Sequence, residues 1–349
     1  MSNFESLKLV PKSEVAQTGK DFKSDQEVRW CPGCGDYAIL AGMQSFLPEL
    51  GLAKENIVFV SGIGCSSRFP YYMNTYGLHS IHGRAPAIAT GLSTSRQDLS
   101  VWVITGDGDA LSIGGNHLIH ALRRNVNLKI LLFNNRIYGL TKGQYSPTSE
   151  VGKITKSTPA GSLDYPFNPI SLAIGAEATF VARTIDSDRK HLVSTLRAAA
   201  EHEGTALVEI YQNCNIFNDG AWEVLKDNDT AADYLMHLVD GEPIVFGKDG
   251  QNAVIRNAAG SLEIVATESV SADQIIRHDA NATDPAYAYA LSRLSDPNTL
   301  ANTPIGVFRS VKRPVYDAAF NTQIASETAR RGPGDLAALI RGKDAWTVD

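Results

Sequence analysis

The segment from Val101 to Thr148 constrains the fold of this chain most strongly. It holds an apolar run, the tetrapeptide Gly106–Asp109, a helical pattern, a second apolar run and the pair Asn134-Asn135. This order predicts a βαβ unit, with the apolar runs as neighbouring parallel strands and residues 115–125 in the crossover helix. An ordinary βαβ unit with a tight turn is the alternative interpretation. Both polar groups follow the carboxyl ends of their strands, where open α/β sheets bind ligands.

The polar groups at these strand ends have the chemistry of a site for a metal ion and a diphosphate. Asp107 offers a carboxylate, Asn135 offers a carbonyl oxygen, and a backbone carbonyl just after Asn135 can complete the set. Such oxygen ligands suit Mg²⁺, which keeps phosphate oxygens and water in its remaining positions. Gly106 and Gly108 let the backbone approach phosphate groups closely. The pattern GDG, followed after 25 residues by NN, resembles the diphosphate-anchoring motif of thiamine diphosphate enzymes.

Four cysteines further limit the kinds of reaction in which this chain can take part. They are Cys31 and Cys34 in WCPGCGDY, Cys65 in SGIGCSSRF and Cys214 in YQNCN. The chain shows no secretory leader, no apolar run of membrane length and a formal net charge of −6, so we expect a cytoplasmic protein. In that compartment a C-x-x-C pair is more often a metal or redox site than a disulfide. No lysine-rich patch is visible either, so neither nucleic acid nor a membrane is an expected partner.

The spacing of the cysteines favours a 4Fe–4S cluster over structural zinc. Structural zinc sites commonly use two short C-x₂-C knuckles, whereas Cys65 and Cys214 stand alone, each at the end of a predicted strand. This dispersal favours a cluster held within the main domain. A non-catalytic scaffold with structural zinc stays an alternative, and Cys214 taken alone also fits an unreactive core cysteine.

Several motifs between Val28 and Phe217 resemble the β subunits of 2-oxoacid:ferredoxin oxidoreductases, and the two-subunit 2-oxoglutarate type is the most similar. The motifs are WCPGCGDY, GIGCSSRFPYYMNTYGLHSIHGRA, GDGDALSIGGNH and LFNNRIYGLTKGQYSPTS. The resemblance implies one 4Fe–4S cluster ligated by Cys31, Cys34, Cys65 and Cys214.

The same resemblance assigns the remaining cofactor contacts. It implies that Mg²⁺ is held by Asp107, Asn135 and the backbone carbonyl of Ile137. The residues that it places against thiamine diphosphate are Ile63, Gly64, Cys65, Ser66, His82, Gly108, Asp109, Gly139 and Leu140. His82 comes shortly before a predicted helix and is our candidate for a catalytic polar contact, such as a hydrogen bond to a phosphate.

Arg68 is our candidate for binding the substrate. It lies three residues beyond Cys65, in the loop that is expected to face the cofactor. A guanidinium matches a carboxylate with two parallel hydrogen bonds, so Arg68 is expected to grip a carboxylate of the 2-oxoacid. A surface salt bridge is the alternative. Members of the family can carry Lys at this place, which leaves the choice of substrate open.

The resemblance also implies a reaction and partners. A 2-oxoacid and coenzyme A give an acyl-CoA and CO₂, and electrons pass one at a time through the cluster to ferredoxin. We expect 2-oxoglutarate as substrate, with pyruvate or a branched 2-oxoacid as the alternative. A non-oxidative thiamine diphosphate decarboxylase or synthase subunit is a further alternative that needs no cluster. No second α/β half is visible, so an α subunit is expected to supply the pyrimidine-binding domain and the activating Glu in an α2β2 assembly.

The predicted elements alternate as in an α/β fold with a mainly parallel sheet flanked by helices and a C-terminal extension. We divide the chain into an N-terminal arm at 1–27, a cofactor-binding domain at 28–217 and an extension at 218–349 that packs on the core and the partner subunit. Asp36 is predicted to cap a helix that runs to Leu50. Strands are predicted at 57–61, 101–105, 128–133, 180–183 and 206–211, and further helices at 86–96, 116–125 and 190–202.

Overall fold

In the computed structural model, which describes residues 4–348, an eight-stranded sheet forms the centre of the molecule. The strands of the described residues are β1 (Ile57–Ser61), β2 (Tyr76–His79), β3 (Ser100–Gly106), β4 (Lys129–Asn134), β5 (Ile137–Tyr138), β6 (Gln144–Tyr145), β7 (Phe180–Ile185), β8 (Ala206–Tyr211), β9 (Leu235–Leu238), β10 (Val245–Phe246), β11 (Asn252–Arg256), β12 (Leu262–Ala266) and β13 (Thr303–Ser310). The order in the large sheet is β2-β1-β3-β4-β8-β7-β13-β9. Only the β13–β7 pair is antiparallel, so the predicted, mainly parallel sheet is confirmed.

Helices cover both faces of this sheet. Those of the described residues are α1 (Asp36–Phe46), α2 (Ala85–Ser95), α3 (Asp107–Leu111), α4 (Gly115–Arg124), α5 (Pro169–Gly175), α6 (Arg189–Glu201), α7 (Ala231–Tyr234), α8 (Pro285–Ser292), α9 (Tyr316–Arg331) and α10 (Leu336–Arg341). Successive side chains of a strand point to opposite faces. Trp102 and Ile104 accordingly pack in one core with α1 and α6, whereas Val101 and Val103 pack in the other with α2 and α4.

The start of α1 differs from the sequence prediction. Asp36 is the first residue of the helix rather than its cap, and Gly35 occupies the cap position without a side-chain hydrogen bond. The α-helix ends at Phe46, and a 3₁₀ turn, Leu47–Leu50, follows. Pro48 explains this end, because it lacks the N–H that a continuing α-helix would bond to the carbonyl of Gln44.

Both ends of the chain add to the domain that holds the predicted site. Phe4, Leu7 and Phe22 are buried in the same core as α1 and α6. The sheet continues beyond residue 217, because β9 and β13 form its last two strands. Strands β10, β11 and β12 make a separate antiparallel sheet. Across the described residues, we find no helix that combines the length and the apolar character needed to cross a membrane.

Candidate active site

The carboxyl ends of β3 and β4 lie side by side. Gly106 of β3 is paired with Phe133 of β4, and α3 begins directly after β3 at Asp107. The two polar groups predicted from the sequence therefore meet at one edge of the sheet. Between them lies a cleft that encloses about 520 Å³.

Residues from four separate loops line this cleft. Those expected to contact the cofactor are Ile63, Gly64, Cys65, Ser66, His82, Gly108, Asp109, Gly139 and Leu140, and those expected to hold Mg²⁺ are Asp107, Asn135 and Ile137. Gly106, Tyr138 and Thr141 complete the lining. The structure thus brings both sets together, while their individual roles as ligands stay predictions.

Asp107 is a buried carboxylate oriented by hydroxyl groups. It is 1 % exposed, and Ser146 Oγ and Thr148 Oγ1 donate to its Oδ2 at 2.5 and 2.6 Å. Burial raises the pKa of Asp107 above its ordinary value of 3.8, and the hydroxyl hydrogen bonds oppose that rise. Because these side-chain partners are neutral, a bound divalent cation would supply a counter-charge for the carboxylate. The donor set therefore fits Mg²⁺.

Asn135 is held by its neighbours on two sides. Its Nδ2 donates to Gln212 Oε1 at 2.9 Å, and its Oδ1 accepts a hydrogen bond from Ile137 N at 3.2 Å. A carbonyl oxygen has two lone pairs, so this oxygen can still ligate a cation. Arg136, between the two predicted ligands, has a φ of 56°, which lies in the left-handed region. The turn that presents Asn135 and Ile137 is therefore a strained one.

Gly108 allows α3 to approach the opposite wall of the cleft. A Cβ atom at Gly108 would lie 2.2 Å from a ring carbon of Tyr138, which no real side chain tolerates. Tyr138 Oη donates to the carbonyl of Gly108 at 3.0 Å. The second glycine of the GDG pattern is therefore required by a close contact within the protein, in addition to its expected place beside a phosphate.

Asp109 positions His82. Its Oδ1 lies 3.1 Å from His82 Nδ1 and accepts a hydrogen bond from Gly83 N at 2.8 Å, while its Oδ2 accepts one from Thr105 Oγ1 at 2.9 Å. The Asp109 side chain is thus engaged within the protein, and it fixes the imidazole with Nδ1 towards the carboxylate. His82 Nε2 is then the nitrogen left for a ligand in the cleft.

All four cysteines line a second pocket beside the cleft. It encloses about 550 Å³ and is lined by Arg29, Trp30, Cys31, Cys34, Asp36, Cys65, Arg68, Asn135, Leu140, Gln212, Cys214, Asn215 and Phe217. The four thiols are free. Among the described residues, no three His, Cys, Asp or Glu side chains converge on a point for one metal ion. A 4Fe–4S cluster binds each thiolate to a different iron, so the predicted cluster does not need such convergence.

The protein around Cys34 and Cys65 favours the neutral form of these two thiols in the absence of metal. Burial raises the pKa of Cys34, and nearby Asp36 raises it further. Burial also raises the pKa of Cys65 to about 11. Metal binding deprotonates thiols outright, so iron would reverse this preference. Gln212 Nε2 donates to Cys34 Sγ at 3.3 Å, and Trp30 Nε1 donates to the carbonyl of Cys65 at 2.6 Å.

Three comparisons with known proteins bear on this site. A family model described as the thiamine pyrophosphate enzyme, C-terminal TPP binding domain, matches residues 62–210. The 2-oxoglutarate oxidoreductase subunit KorB of Mycobacterium tuberculosis is 65 % identical over 342 residues, which cover 97 % of this chain and 91 % of the relative. This chain belongs to the β subunits of the 2-oxoacid:ferredoxin oxidoreductases.

Two further matches agree with this assignment. The 2-oxoacid:ferredoxin oxidoreductase subunit beta of Sulfolobus sp. is 43 % identical over 231 residues, which cover 66 % of this chain and 75 % of the relative. A solved structure, the 2-oxoglutarate:ferredoxin oxidoreductase from Magnetococcus marinus with 2-oxoglutarate, coenzyme A and succinyl-CoA bound, matches with a TM-score of 0.71 and 34 % identity. That match covers 92 % of this chain and 93 % of the other chain. The predicted family, fold class and enzyme class are thereby confirmed.

In this oxidoreductase β subunit the thiamine cleft and the cysteine pocket have a common wall. Cys65, Asn135 and Leu140 line both of them. Cys65 is itself one of the predicted cluster ligands, so the wall of the thiamine cleft includes a predicted ligand of the cluster.

Arg68 lies on the cysteine pocket and is absent from the lining of the thiamine cleft. Its side chain is exposed, with Nη1 3.4 Å from the carbonyl of Arg29. Its proposed contact with a substrate carboxylate therefore needs either a substrate that reaches across the common wall or a movement of the arginine.

Sequence reasoning missed three side chains that position predicted ligands. Ser146 and Thr148 are 39 and 41 residues away from Asp107 along the chain. Gln212 lies 77 residues beyond Asn135 and 178 beyond Cys34. Ser146 and Thr148 lie in the motif LFNNRIYGLTKGQYSPTS, and Gln212 lies in YQNCN. The motifs assigned no role to these side chains, because hydroxyl and amide groups in loops carry no periodic signal.

Proposed function

We propose that this chain is the β subunit of a 2-oxoglutarate:ferredoxin oxidoreductase. With an α subunit it converts 2-oxoglutarate, coenzyme A and two oxidised ferredoxins to succinyl-CoA, CO₂, two reduced ferredoxins and a proton. The printed names of the Mycobacterium tuberculosis relative and of the Magnetococcus marinus structure support 2-oxoglutarate as the substrate. Pyruvate or a branched 2-oxoacid is the alternative within the same reaction class.

The common wall of the two pockets is the observation that carries this proposal. A cleft with an Mg²⁺-type donor set and a pocket with four free thiols share Cys65, Asn135 and Leu140. A non-oxidative thiamine enzyme has no use for a redox centre at this place. Electrons that leave a substrate in the cleft would need to cross only this wall to reach a cluster.

In the proposed mechanism, bound thiamine diphosphate supplies a nucleophilic ring carbon for the 2-oxo group and an electron sink for the loss of CO₂. Asp107, Asn135 and the carbonyl of Ile137 would hold Mg²⁺, and Ser146 and Thr148 fix the Asp107 carboxylate. The other predicted cofactor contacts are Ile63, Gly64, Cys65, Ser66, His82, Gly108, Asp109, Gly139 and Leu140.

His82 and the cysteines have distinct roles in this proposal. Asp109 holds His82 so that Nε2 can donate to an anionic group in the cleft. The four thiolates hold one 4Fe–4S cluster whose surroundings set its potential, among them the amide of Gln212 on Cys34.

The α subunit completes the site. The match to a thiamine-binding domain covers residues 62–210, and the proposal assigns the pyrimidine-binding domain and the activating Glu to the α chain. We propose an α2β2 assembly because the chain resembles the two-subunit type of this family. The four free thiols suit a reducing compartment, so the cytoplasm is the proposed location.

An anaerobic assay of the co-purified α and β chains tests the proposal. The chains are assayed for viologen reduction with coenzyme A and each of three 2-oxoacids, and their iron, sulfide and zinc contents are measured. A brown protein with coenzyme A-dependent activity on 2-oxoglutarate supports it. Preference for pyruvate or a branched 2-oxoacid would correct the substrate. A colourless protein that decarboxylates the 2-oxoacid without reducing viologen would support the non-oxidative alternative instead. An inactive protein that contains zinc would support the scaffold alternative.

A further inference from the structure

A third cavity lies along the same edge of the sheet and shares no lining residue with the thiamine cleft or the cysteine pocket. It spans about 480 Å³ when the space at its open mouth is included. Asn134 and Tyr211, the last residues of β4 and β8, line it together with Arg183 of β7. The segments at 165–169 and 293–297 form much of the remaining wall. A crevice outside the carboxyl ends of strands is the usual ligand position in open α/β sheets.

The lining of this cavity carries an excess of positive charge. Its ionisable residues include three arginines, Arg136, Arg183 and Arg293, and one acid, Glu209. Arg183 and Glu209 neutralise each other, with Nε and Oε2 2.7 Å apart and both side chains almost fully buried. Arg136 and Arg293 are therefore the charges available to a ligand.

Arg136 is buried with incomplete hydrogen bonding. It is 7 % exposed, its Nη2 donates to the carbonyl of Pro297 at 2.9 Å, and its guanidinium lies 4.3 Å from the ring centre of Trp222. Its Nε has no hydrogen-bond partner. A buried charged donor without a partner is costly, so an acceptor that arrives with a ligand would satisfy it.

The acids that face Arg136 are engaged elsewhere. Glu150 pairs with Lys153 at 3.0 Å. Asp296 accepts hydrogen bonds from the backbone N–H groups of Asn298 and Thr299 at 2.9 and 2.6 Å. Glu209 is already paired with Arg183, and it also accepts from Asn134 Nδ2 at 2.8 Å.

The mouth of the cavity combines a cation with aromatic surface. Arg293 is exposed and makes no ion pair within the described part of the chain. Tyr165 and Phe167 line the cavity and are 72 % and 49 % exposed. Exposed aromatic rings beside a free guanidinium suit a ligand with a flat apolar part and an anionic group.

We infer that this cavity binds a small organic anion, with a carboxylate or phosphate group at Arg136 and Arg293 and an apolar part against Tyr165 and Phe167. The inference goes beyond the proposed function and does not depend on it. Binding would also reach the turn of the predicted metal site, since Arg136 lies between Asn135 and Ile137.

The test is a calorimetric titration of the αβ complex, prepared with thiamine diphosphate and Mg²⁺ so that the cleft is filled. The probes are phenyl phosphate, benzoate and inorganic phosphate. We expect saturable binding of phenyl phosphate, benzoate or both. Whichever of these two probes binds more tightly shows whether the site prefers a phosphate or a carboxylate group. Arg293→Ala should weaken that binding about tenfold or more, as loss of a charged hydrogen-bond donor does. Arg189→Ala, at another exposed arginine, is the matched control and should leave it unchanged.

Arg136→Lys provides a second variant that keeps the charge and removes the Nε donor. It should weaken binding by several-fold while circular dichroism shows that the complex stays folded. Three results would overturn the inference. They are no saturable binding of any probe, equal weakening by Arg293→Ala and Arg189→Ala, and unchanged binding in a folded Arg136→Lys complex. Binding of inorganic phosphate as tightly as phenyl phosphate would also contradict the proposed aromatic contact.

Discussion

Gln212 joins Asn135 to Cys34 through both ends of its side-chain amide. Its Oε1 accepts a hydrogen bond from Asn135 Nδ2 at 2.9 Å, and its Nε2 donates one to Cys34 Sγ at 3.3 Å. One amide therefore touches a predicted Mg²⁺ ligand and a predicted cluster ligand. Since hydrogen bonds to ligand sulfurs raise the reduction potential of iron–sulfur clusters, this residue is placed to affect electron transfer without contacting substrate.

Gln212→Leu should lower the reduction potential of the cluster. Loss of a hydrogen bond of ~1 kcal/mol corresponds to about 40 mV for one electron. The potential is measured by redox titration followed by electron paramagnetic resonance. Gln323→Leu, at an exposed glutamine of α9, is the control. An unchanged potential in Gln212→Leu with a full iron complement would show that the amide does not act on the cluster.

Asp107→Asn should weaken Mg²⁺-dependent binding of thiamine diphosphate by more than about 100-fold, because a direct ligand counts for more than its supporting residues. Calorimetry measures the affinity, and iron content should stay at the wild-type level. Asp98→Asn, at a partly exposed aspartate that pairs with Arg96, is the control. Unchanged affinity in Asp107→Asn would refute the metal assignment.

The same residue predicts a pH effect with a definite sign. Burial raises the pKa of Asp107 above 3.8 in the metal-free protein. The neutral form is therefore favoured by folding, and that contribution to stability is lost as the pH rises through the raised pKa. At neutral pH, metal-free Asp107→Asn should consequently unfold at a higher temperature than the metal-free wild type. As the pH is lowered, the wild-type protein should lose its affinity for Mg²⁺ at a higher pH than a site with an ordinary aspartate ligand would. Equal unfolding midpoints for the two metal-free proteins at every pH would contradict the first expectation.

Thr148→Val should weaken Mg²⁺ binding by about 10- to 100-fold, the usual range for residues that orient a metal ligand. The change preserves the shape of the side chain and removes the hydroxyl that donates to Asp107 Oδ2. Ser157→Ala, in an exposed part of the same loop region, provides the comparison. If both variants bind Mg²⁺ like the wild type, Thr148 does not hold the carboxylate in the working enzyme.

Cys214→Ser should remove or bleach the cluster while thiamine diphosphate still binds. Iron and sulfide analysis together with the visible spectrum measure this outcome. Ile216→Ala, at an exposed residue two positions along, tests whether any change in this loop has the same effect. A full iron content in Cys214→Ser would show that Cys214 is not a cluster ligand and would support its interpretation as an unreactive core cysteine.

Arg68→Ala should raise the KM for the 2-oxoacid by more than about tenfold and leave the KM for coenzyme A unchanged, because a guanidinium that binds a carboxylate contributes a charge-assisted pair of hydrogen bonds. Arg96→Ala, at an exposed arginine paired with Asp98, is the matched control. A parallel rise in both KM values would mean that Arg68 has no specific role towards the oxoacid.

The sequence by itself determined the central βαβ unit and the meeting of its polar ends. Buried parallel strands are continuous apolar runs, which the sequence shows directly. Because the crossover between them is short, the strand before Asp107 and the strand before Asn135 are expected to be neighbours in the sheet. These relationships are local, so periodicity and spacing were sufficient. The fold class and the candidate ligands Asp107 and Asn135 followed from them, whereas the other residues of the thiamine cleft were assigned from the resemblance to the family.

The tertiary structure alone decided how that site is supported. The hydroxyls on Asp107, the amide of Gln212 and the placement of β9 and β13 in the main sheet all join segments far apart in the chain. So does the arginine-lined cavity, whose wall combines β4, β7 and β8 with loops from both halves of the chain. Such contacts depend on how complete elements pack, and a loop side chain leaves no periodic trace of its eventual partner. The sequence therefore identified the residues with the chemistry, and only packing determined which groups orient them.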